Sequence, residues 1–440
     1  MRLAALALTV GLAAGPAVAQ TAYAPTVLPA PGDTVCPGGL CGPEALIPLF
    51  EALRATETGE RDVPVHILQI GDSHTAGDRI TGKLRADLQA RFGNGGRGVL
   101  PAGIPYAGYA PMQVEVAAEG WTSEVASLAA TGTNAYAPFG AAGMRGRVSP
   151  GDHLDLRFDP GSEPHWLVVC GWPRGPGAGL AVQGDAETRM VDLNTGPDGG
   201  TAPACVSLPQ YEQAVSEIRL LGVGAGVTLS SVLAVKDDAG RWPGSSWTAR
   251  PRPGVLVSNL GVIGSTLADF ASRDDAMLGL EFGAFHPTLV ILAYGTNEGF
   301  DDGLDGAAYE RLLRGQIDRI RGISGSAPIL ILGAPDALRS GAPSGCSADG
   351  LRRPPPNLAV VRDVQRRVAA EMGVAFWDWR GRMGGDCSAD RLATMAEPLM
   401  RGDRVHFTSE GADWIGGMLS RDLMAAYDAW KGQTEAGQGE

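Results

Sequence analysis

The chain has 440 residues, 44% hydrophobic and 19% charged, which is apolar enough for one large or two ordinary domains and excludes wholesale disorder. Lys and Arg number 36 against 49 Asp and Glu, a net charge of −13, and no block of like charges stands out, so nucleic acid and anionic membrane surfaces are poor partners. With 63 glycines and 31 prolines, about a fifth of the chain, many turns and long loops are expected.

Arg2, an apolar run over 3–14, and the small residues Ala17, Val18 and Ala19 before Gln20 read as a secretory signal peptide, residues 1–19, cleaved after Ala19. The run is too short to cross a bilayer, and no cysteine follows it for a lipid anchor. Later apolar stretches such as 220–235 are broken by Gly, Thr and Ser, so no membrane insertion is expected. The mature chain is therefore expected to be exported, periplasmic or secreted. Its six cysteines then point to disulfides rather than metal. Cys36 and Cys41 can close a tight loop, and Cys170 with Cys205 and Cys346 with Cys387 are the pairings that keep bridges local, among fifteen connectivities. No second Cys or His pair stands at ligand spacing near Cys36, and the histidines at 66, 74, 153, 165, 286 and 406 are scattered, so no metal is assigned.

After an N-terminal segment over 20–60, the apolar run 64–70 stops at Gly71-Asp72-Ser73, and Ile80, Leu84, Leu88 and Phe92 then recur at four-residue spacing. This predicts a buried strand, a tight turn and an amphipathic helix. The same alternation returns at 256–259, 288–293, 328–332 and 374–378, so residues 61–107 and 254–430 are expected to form an α/β domain with a parallel sheet. Between them, 108–253 holds short alternating segments separated by Gly and Pro, with no helical period. That pattern predicts an inserted all-β sandwich. Residues 431–440 read as a polar, frayed tail.

Three strand ends carry the chemistry. Ser73 stands where a buried strand gives way to a helix, which puts its hydroxyl beside the helix's unpaired first-turn N–H donors and suits a nucleophile; the plain alternative is an N-cap. The stretch 259–264 ending in Gly264, and Gly295-Thr296-Asn297-Glu298, follow the next two strands at the edge where α/β sheets place ligands. A glycine N–H and the Asn297 amide there can complete an oxyanion hole; the plain alternatives are turn residues. Asp403 and His406, three apart on one loop before a helix, can supply a base and the carboxylate that orients it.

In this order the segments resemble the blocks of the SGNH/GDSL hydrolases, with Ser73 in block I, Gly264 in block II, Asn297 in block III and Asp403 with His406 in block V. The motifs over 71–78 (GDSHTAGD), 376–379 (FWDW) and 403–411 (DRVHFTSEG) are most similar to the peptidoglycan O-acetylesterase-like group. The resemblance spans roughly residues 63–426. It implies an SGNH, flavodoxin-like three-layer fold with a sandwich resembling carbohydrate-binding modules inserted after block I, where 108–253 lies. The sequence departs from the commoner pattern in having Glu298 after Asn297, where Asp is usual, and His74 where many relatives have Leu.

The resemblance further implies a serine esterase that removes O-acetyl groups from a polysaccharide, O-acetylated peptidoglycan foremost. His406 would take the proton of Ser73, Asp403 would orient His406, and the N–H groups of Ser73 and Gly264 with the Asn297 amide would hold the oxyanion, with no cofactor. Two other readings stay open: an O-acetyltransferase using the same residues, and an inactive polysaccharide-binding protein, against which the intact Ser73, Asn297, Asp403 and His406 stand. No amphipathic lid favours a lipid esterase. Trp121, Trp166, Trp172, Trp242 and Trp247 in the insert are expected to be mostly core, with one or two available to stack on sugar. Arg352-Arg353 before three prolines reads as a solvated basic loop.

Overall fold

Val65–Gly71 is buried along its whole length, as a strand covered on both faces must be. In the computed structural model, which describes residues 35–126, 138–185, 187–194, 200–209, 211, 213–236, 253–341, 345–347 and 350–438, it sits inside a six-stranded sheet. The strand order is Leu40–Cys41, Ala375–Trp377, Ile329–Leu332, Leu289–Ala293, Val65–Gly71, Val255–Gly261. All pairings are parallel except that of the edge strand Leu40–Cys41. Period-two alternation sends Leu68, Ile70, Val290 and Ile331 to one face, where they meet Phe270, Phe282, Ile317 and Val361. Ile67, Val257, Ile291 and Leu330 go to the other, against Leu53, Leu84, Leu88 and Leu419. The chain is thus an α/β fold with helices on both faces of a largely parallel sheet. The expected signal peptide, Trp242 and Trp247 lie outside the described residues.

Between the strands Val65–Gly71 and Val255–Gly261 the chain forms two antiparallel sheets. One runs Thr188–Asp192, Gly179–Gln183, Glu217–Val223, His153–Phe158, Val114–Glu119; the other runs Ala204–Ser207, Trp166–Pro173, Val227–Val235, Met144–Val148, Thr122–Val125. Leu154, Leu156, Leu180 and Leu220 of the first share one apolar cluster with Leu167, Val169, Leu229 and Val232 of the second. Gly98–Pro101 also pairs with Val227–Val235, so the all-β region begins about ten residues before the sequence pattern marks it. A four-residue strand is too short to show alternation. Trp166 is buried, and Trp121 and Trp172 pack against the apolar clusters, so none of the three described tryptophans is a free platform.

Two buried carboxylates fasten this region to the α/β layer. Asp78 accepts from Arg85 Nη2 at 2.8 Å, Arg97 Nη2 at 2.7 Å and the Met112 N–H at 2.9 Å, while Arg85 Nε reaches Val257 O at 2.8 Å. Glu281, on the helix Asp275–Phe285, accepts from Ser230 and Ser231 hydroxyls and from the Ala141 N–H. Burial opposes the charge of Asp78, yet the guanidinium groups of Arg85 and Arg97 hold its carboxyl below the usual range. Its stabilising contribution is therefore present above the unfolded carboxyl value of about 3.9 and is lost as pH falls through the lower folded one. Asp78→Asn leaves two buried guanidinium groups uncompensated and should cost about 3–5 kcal/mol at neutral pH. Denaturant midpoints at neutral and acidic pH check this, since the gap between variant and wild type should narrow in acid.

All six cysteines are bridged, Cys36–Cys41, Cys170–Cys205 and Cys346–Cys387, which places the chain outside the reducing cytosol. Cys205 stands directly opposite Cys170 on adjacent strands. Mass mapping without reductant should return these three pairs, and recovery of alkylated Cys346 or Cys387 from native protein would contradict them. Among the described residues no helix is long and apolar enough to cross a membrane.

Two local expectations change. The C-terminal helix spans Ser409–Gln438, continuing through most of the stretch read as a frayed tail, because Lys431 Nζ reaches Glu57 at 2.7 Å and Phe50 packs on Trp430. Arg352–Arg353 is not a solvated loop: it pairs with Arg339–Ser340, and Arg352 Nη2 donates to Gly402 O at 3.1 Å.

Candidate active site

Gly71, Gly261 and Ala293 are register partners at the ends of three adjacent parallel strands. The loops that follow, carrying Ser73, Gly264 and Asn297, therefore leave the sheet side by side. The approach is close: a Cβ on Gly71 would lie 2.6 Å from Ala293 O. Asp72 caps the short helix Ser73–Ala76 by accepting the His74 N–H at 2.9 Å, and Ser73 at the first helical position keeps its own N–H free of an intrahelical acceptor.

His406 arrives from a loop closed by the Met400–Phe407 bridge and by the Arg401 N–H donating to His406 O at 2.7 Å. Asp403 Oδ1 accepts the N–H groups of Val405 and His406 at 2.9 and 3.0 Å, folding the loop back on itself. Arg404 has φ +59°, a left-handed conformation that costs a residue with a Cβ about 1–2 kcal/mol. It is held there by Arg404 Nε on Asp390 at 3.0 Å and by the Leu338 N–H on Arg404 O at 3.0 Å.

The outcome is a bonded line. His406 Nδ1 is 2.9 Å from Asp403 Oδ2, and His406 Nε2 is 2.9 Å from Ser73 Oγ. Because a carboxylate only accepts, Nδ1 donates to Asp403 and Nε2 faces the Ser73 hydroxyl as an acceptor. Burial opposes the charge of Asp403, but the N–H groups of His406 and Val405 and the His406 ring hold its carboxyl below the usual range.

Asn297 Nδ2 donates to Ser265 O at 2.8 Å, tying its loop to the turn of Gly264, which has φ +73°. Its neighbour Glu298 accepts the Leu267 N–H at 2.7 Å. Burial raises the Glu298 carboxyl to about 7. Ser73 and His406 line a cavity of about 580 Å³ together with His74, Tyr106, Ile263 and Arg401.

Ser73, Asp403 and His406 are thus in direct contact, and Gly264 and Asn297 stand on the two loops beside them. Sequence reading passed over Tyr106, which donates to Ala76 O at 2.7 Å, and Arg401; neither belongs to a periodic pattern or motif. His74 was legible only as a departure from Leu.

The GDSL-like lipase/acylhydrolase family matches residues 222–414, a span that begins beyond Ser73. A solved structure described as a peptidoglycan O-acetylesterase in action is 25% identical, covers 89% of this chain and 99% of its own, and has a TM-score of 0.72. A salicylyl-acyltransferase, SsfX3, from a tetracycline biosynthetic pathway is 15% identical over 74% of this chain and 96% of its own, with a TM-score of 0.29. A family two carbohydrate esterase from Cellvibrio japonicus is 12% identical over 75% and 98%, with a TM-score of 0.26. Likeness at the level of these last two distinguishes nothing. No curated protein matches the chain by sequence. The family match and the shared fold along nearly the whole of both chains lead to one identification: the chain carries a GDSL-like lipase/acylhydrolase domain and is a serine ester hydrolase.

Proposed function

We propose that the protein removes O-acetyl groups from a cell-wall polysaccharide, O-acetylated peptidoglycan foremost, through an acetyl-enzyme on Ser73. The observation that carries this reading is the line Ser73 Oγ, His406 Nε2, His406 Nδ1, Asp403 Oδ2, with 2.9 Å at both contacts, opening on a cavity. The likeness to the peptidoglycan O-acetylesterase supports the acetyl ester and the glycan. His406 accepts the Ser73 proton as Oγ attacks the acetyl carbonyl, and Asp403 stabilises the imidazolium that forms. The oxyanion is met by the N–H groups of Ser73 and Gly264 and by the second Asn297 amide proton, the first being given to Ser265 O. His406 then returns its proton to the departing sugar oxygen and activates water to release acetate.

The all-β region completes this reading as an inserted β-sandwich, starting near Gly98, that holds the polymer while the acetyl group reaches Ser73. Its described aromatic residues are not exposed, so polar side chains would carry the grip. A cavity of about 490 Å³ on its five-stranded sheet, lined by Asp155, Arg157, Gln183, Asp185, Glu217 and Arg219, offers such a surface. The stretch that follows the region's first strand, Gly98–Pro101, also supplies Tyr106 to the catalytic cavity, so part of the region belongs to the active-site wall. Export to the periplasm or beyond agrees with the three disulfides.

Incubating the protein with O-acetylated peptidoglycan, with and without an acceptor sugar, and measuring free acetate against transferred acetyl tests the proposal. Free acetate in both is expected. Acetyl moved to the acceptor would make the protein a transferase, and neither product would remove the glycan reading.

A further inference from the structure

His74, the residue after the nucleophile, is buried and bound on both ring nitrogens. Its Nε2–H donates to Val405 O at 2.9 Å, and its Nδ1 stands 3.2 Å from Asp72 Oδ1. Its ring stacks on His406 with centroids 5.4 Å apart and planes 29° apart, while Trp379 and Phe407 close the sides edge-on. A backbone carbonyl only accepts, so Nε2 must carry a proton; a neutral ring would then turn a bare Nδ1 lone pair toward a carboxylate. Only the doubly protonated ring satisfies both partners. Asp72 precedes Ser73, and Val405 precedes His406, so this ring joins the loop of the nucleophile to the loop of the base.

We propose that His74 is a positioning residue, a cationic clamp between Asp72 and Val405 that holds Ser73 and His406 at attack distance, and that its loss of a proton sets the alkaline limit of hydrolysis. The inference rests on the esterase reading of Ser73 and His406. The titratable groups facing His74 are Asp72 from the strand end and Asp403 and His406 from the loop 400–407; Trp379 and Phe407 do not titrate, and Arg79 and Arg401 line the same cavity. Burial disfavours the His74 cation, but Asp72, by charge and hydrogen bond, with Val405 O and Asp403, turns the balance and raises its proton affinity above that of an ordinary histidine. The sign follows: the clamp is intact below the His74 ionisation and opens as pH rises through it, at a pH above that of an ordinary histidine.

The ring ¹⁵N shifts of His74 in the wild-type protein should report two N–H groups at neutral pH, and their titration should coincide with the fall of kcat on the alkaline side. His74→Gln, whose donors sit on a single amide nitrogen and which cannot ionise, should lower kcat at neutral pH by about ten- to a hundredfold, as small misplacement of reacting groups does. KM for a small acetyl ester should move far less, and the coincident alkaline limb should vanish. A singly protonated His74 at neutral pH, or an unchanged alkaline limb in the variant, overturns the proposal. The ¹⁵N measurement needs no turnover, so a wild type inactive on acetyl esters would remove the esterase reading while the protonation state of His74 was still being read.

Discussion

Ser73→Ala and His406→Ala are each expected to abolish acetyl-ester hydrolysis, with kcat falling by about 10⁶, as comparable triads do when nucleophile or base is removed. The two losses should not add, because each residue acts only through the other across the 2.9 Å Ser73 Oγ to His406 Nε2 contact. The double variant should therefore be no slower than either single one. Folding should survive: Ser73 Oγ and the His406 ring meet each other at the rim of an open cavity, and the loop 400–407 is closed by backbone bonds that either alanine preserves. Steady-state kinetics on a small acetyl ester, with thermal unfolding as the control, checks this. A Ser73→Ala protein retaining even a hundredth of the wild-type rate would remove Ser73 as nucleophile.

Asn297→Ala is expected to lower kcat by about 10²–10³, the loss usual for one oxyanion donor. Asn297 also bonds Ser265 O at 2.8 Å, so the substitution removes a structural hydrogen bond as well as the oxyanion donor. The magnitudes separate the two. One neutral hydrogen bond is worth about 1 kcal/mol of stability, whereas the catalytic loss corresponds to about 2.7–4 kcal/mol of transition-state stabilisation. Stability measured by denaturant should thus change little while kcat drops steeply and KM holds. A rate within threefold of wild type would mean that the oxyanion is held without this amide.

Much of this was legible in the sequence because the signals are local. Ser73 ends an apolar run and begins a helical period; Gly264 and Asn297 follow later runs of the same kind; Asp403 and His406 sit three apart. Short-range periodicity encodes strand or helix directly, and the parallel sheet follows from strands alternating with helices. The even cysteine count likewise carried the disulfides, although the pairing needed positions in space.

What only the tertiary structure decided depends on partners distant in sequence. The level alignment of Gly71, Gly261 and Ala293 is a matter of register, which no single strand specifies. The Gly98–Pro101 strand is too short to alternate and exists because Val227–Val235 pairs with it. The last turns of Ser409–Gln438 are polar, yet they stay helical where Glu57 and Phe50 receive them. Asp78 ends the motif over 71–78, but only the fold brings Arg85 and Arg97 onto its carboxylate. His74 looks like a simple exchange for Leu until Val405, 331 residues away, supplies the carbonyl that fixes its proton. A hydrogen bond forms wherever the folded chain brings donor and acceptor within about 3 Å. Sequence names the donors and acceptors, and the packing of the two helical layers on the sheet selects which of them meet.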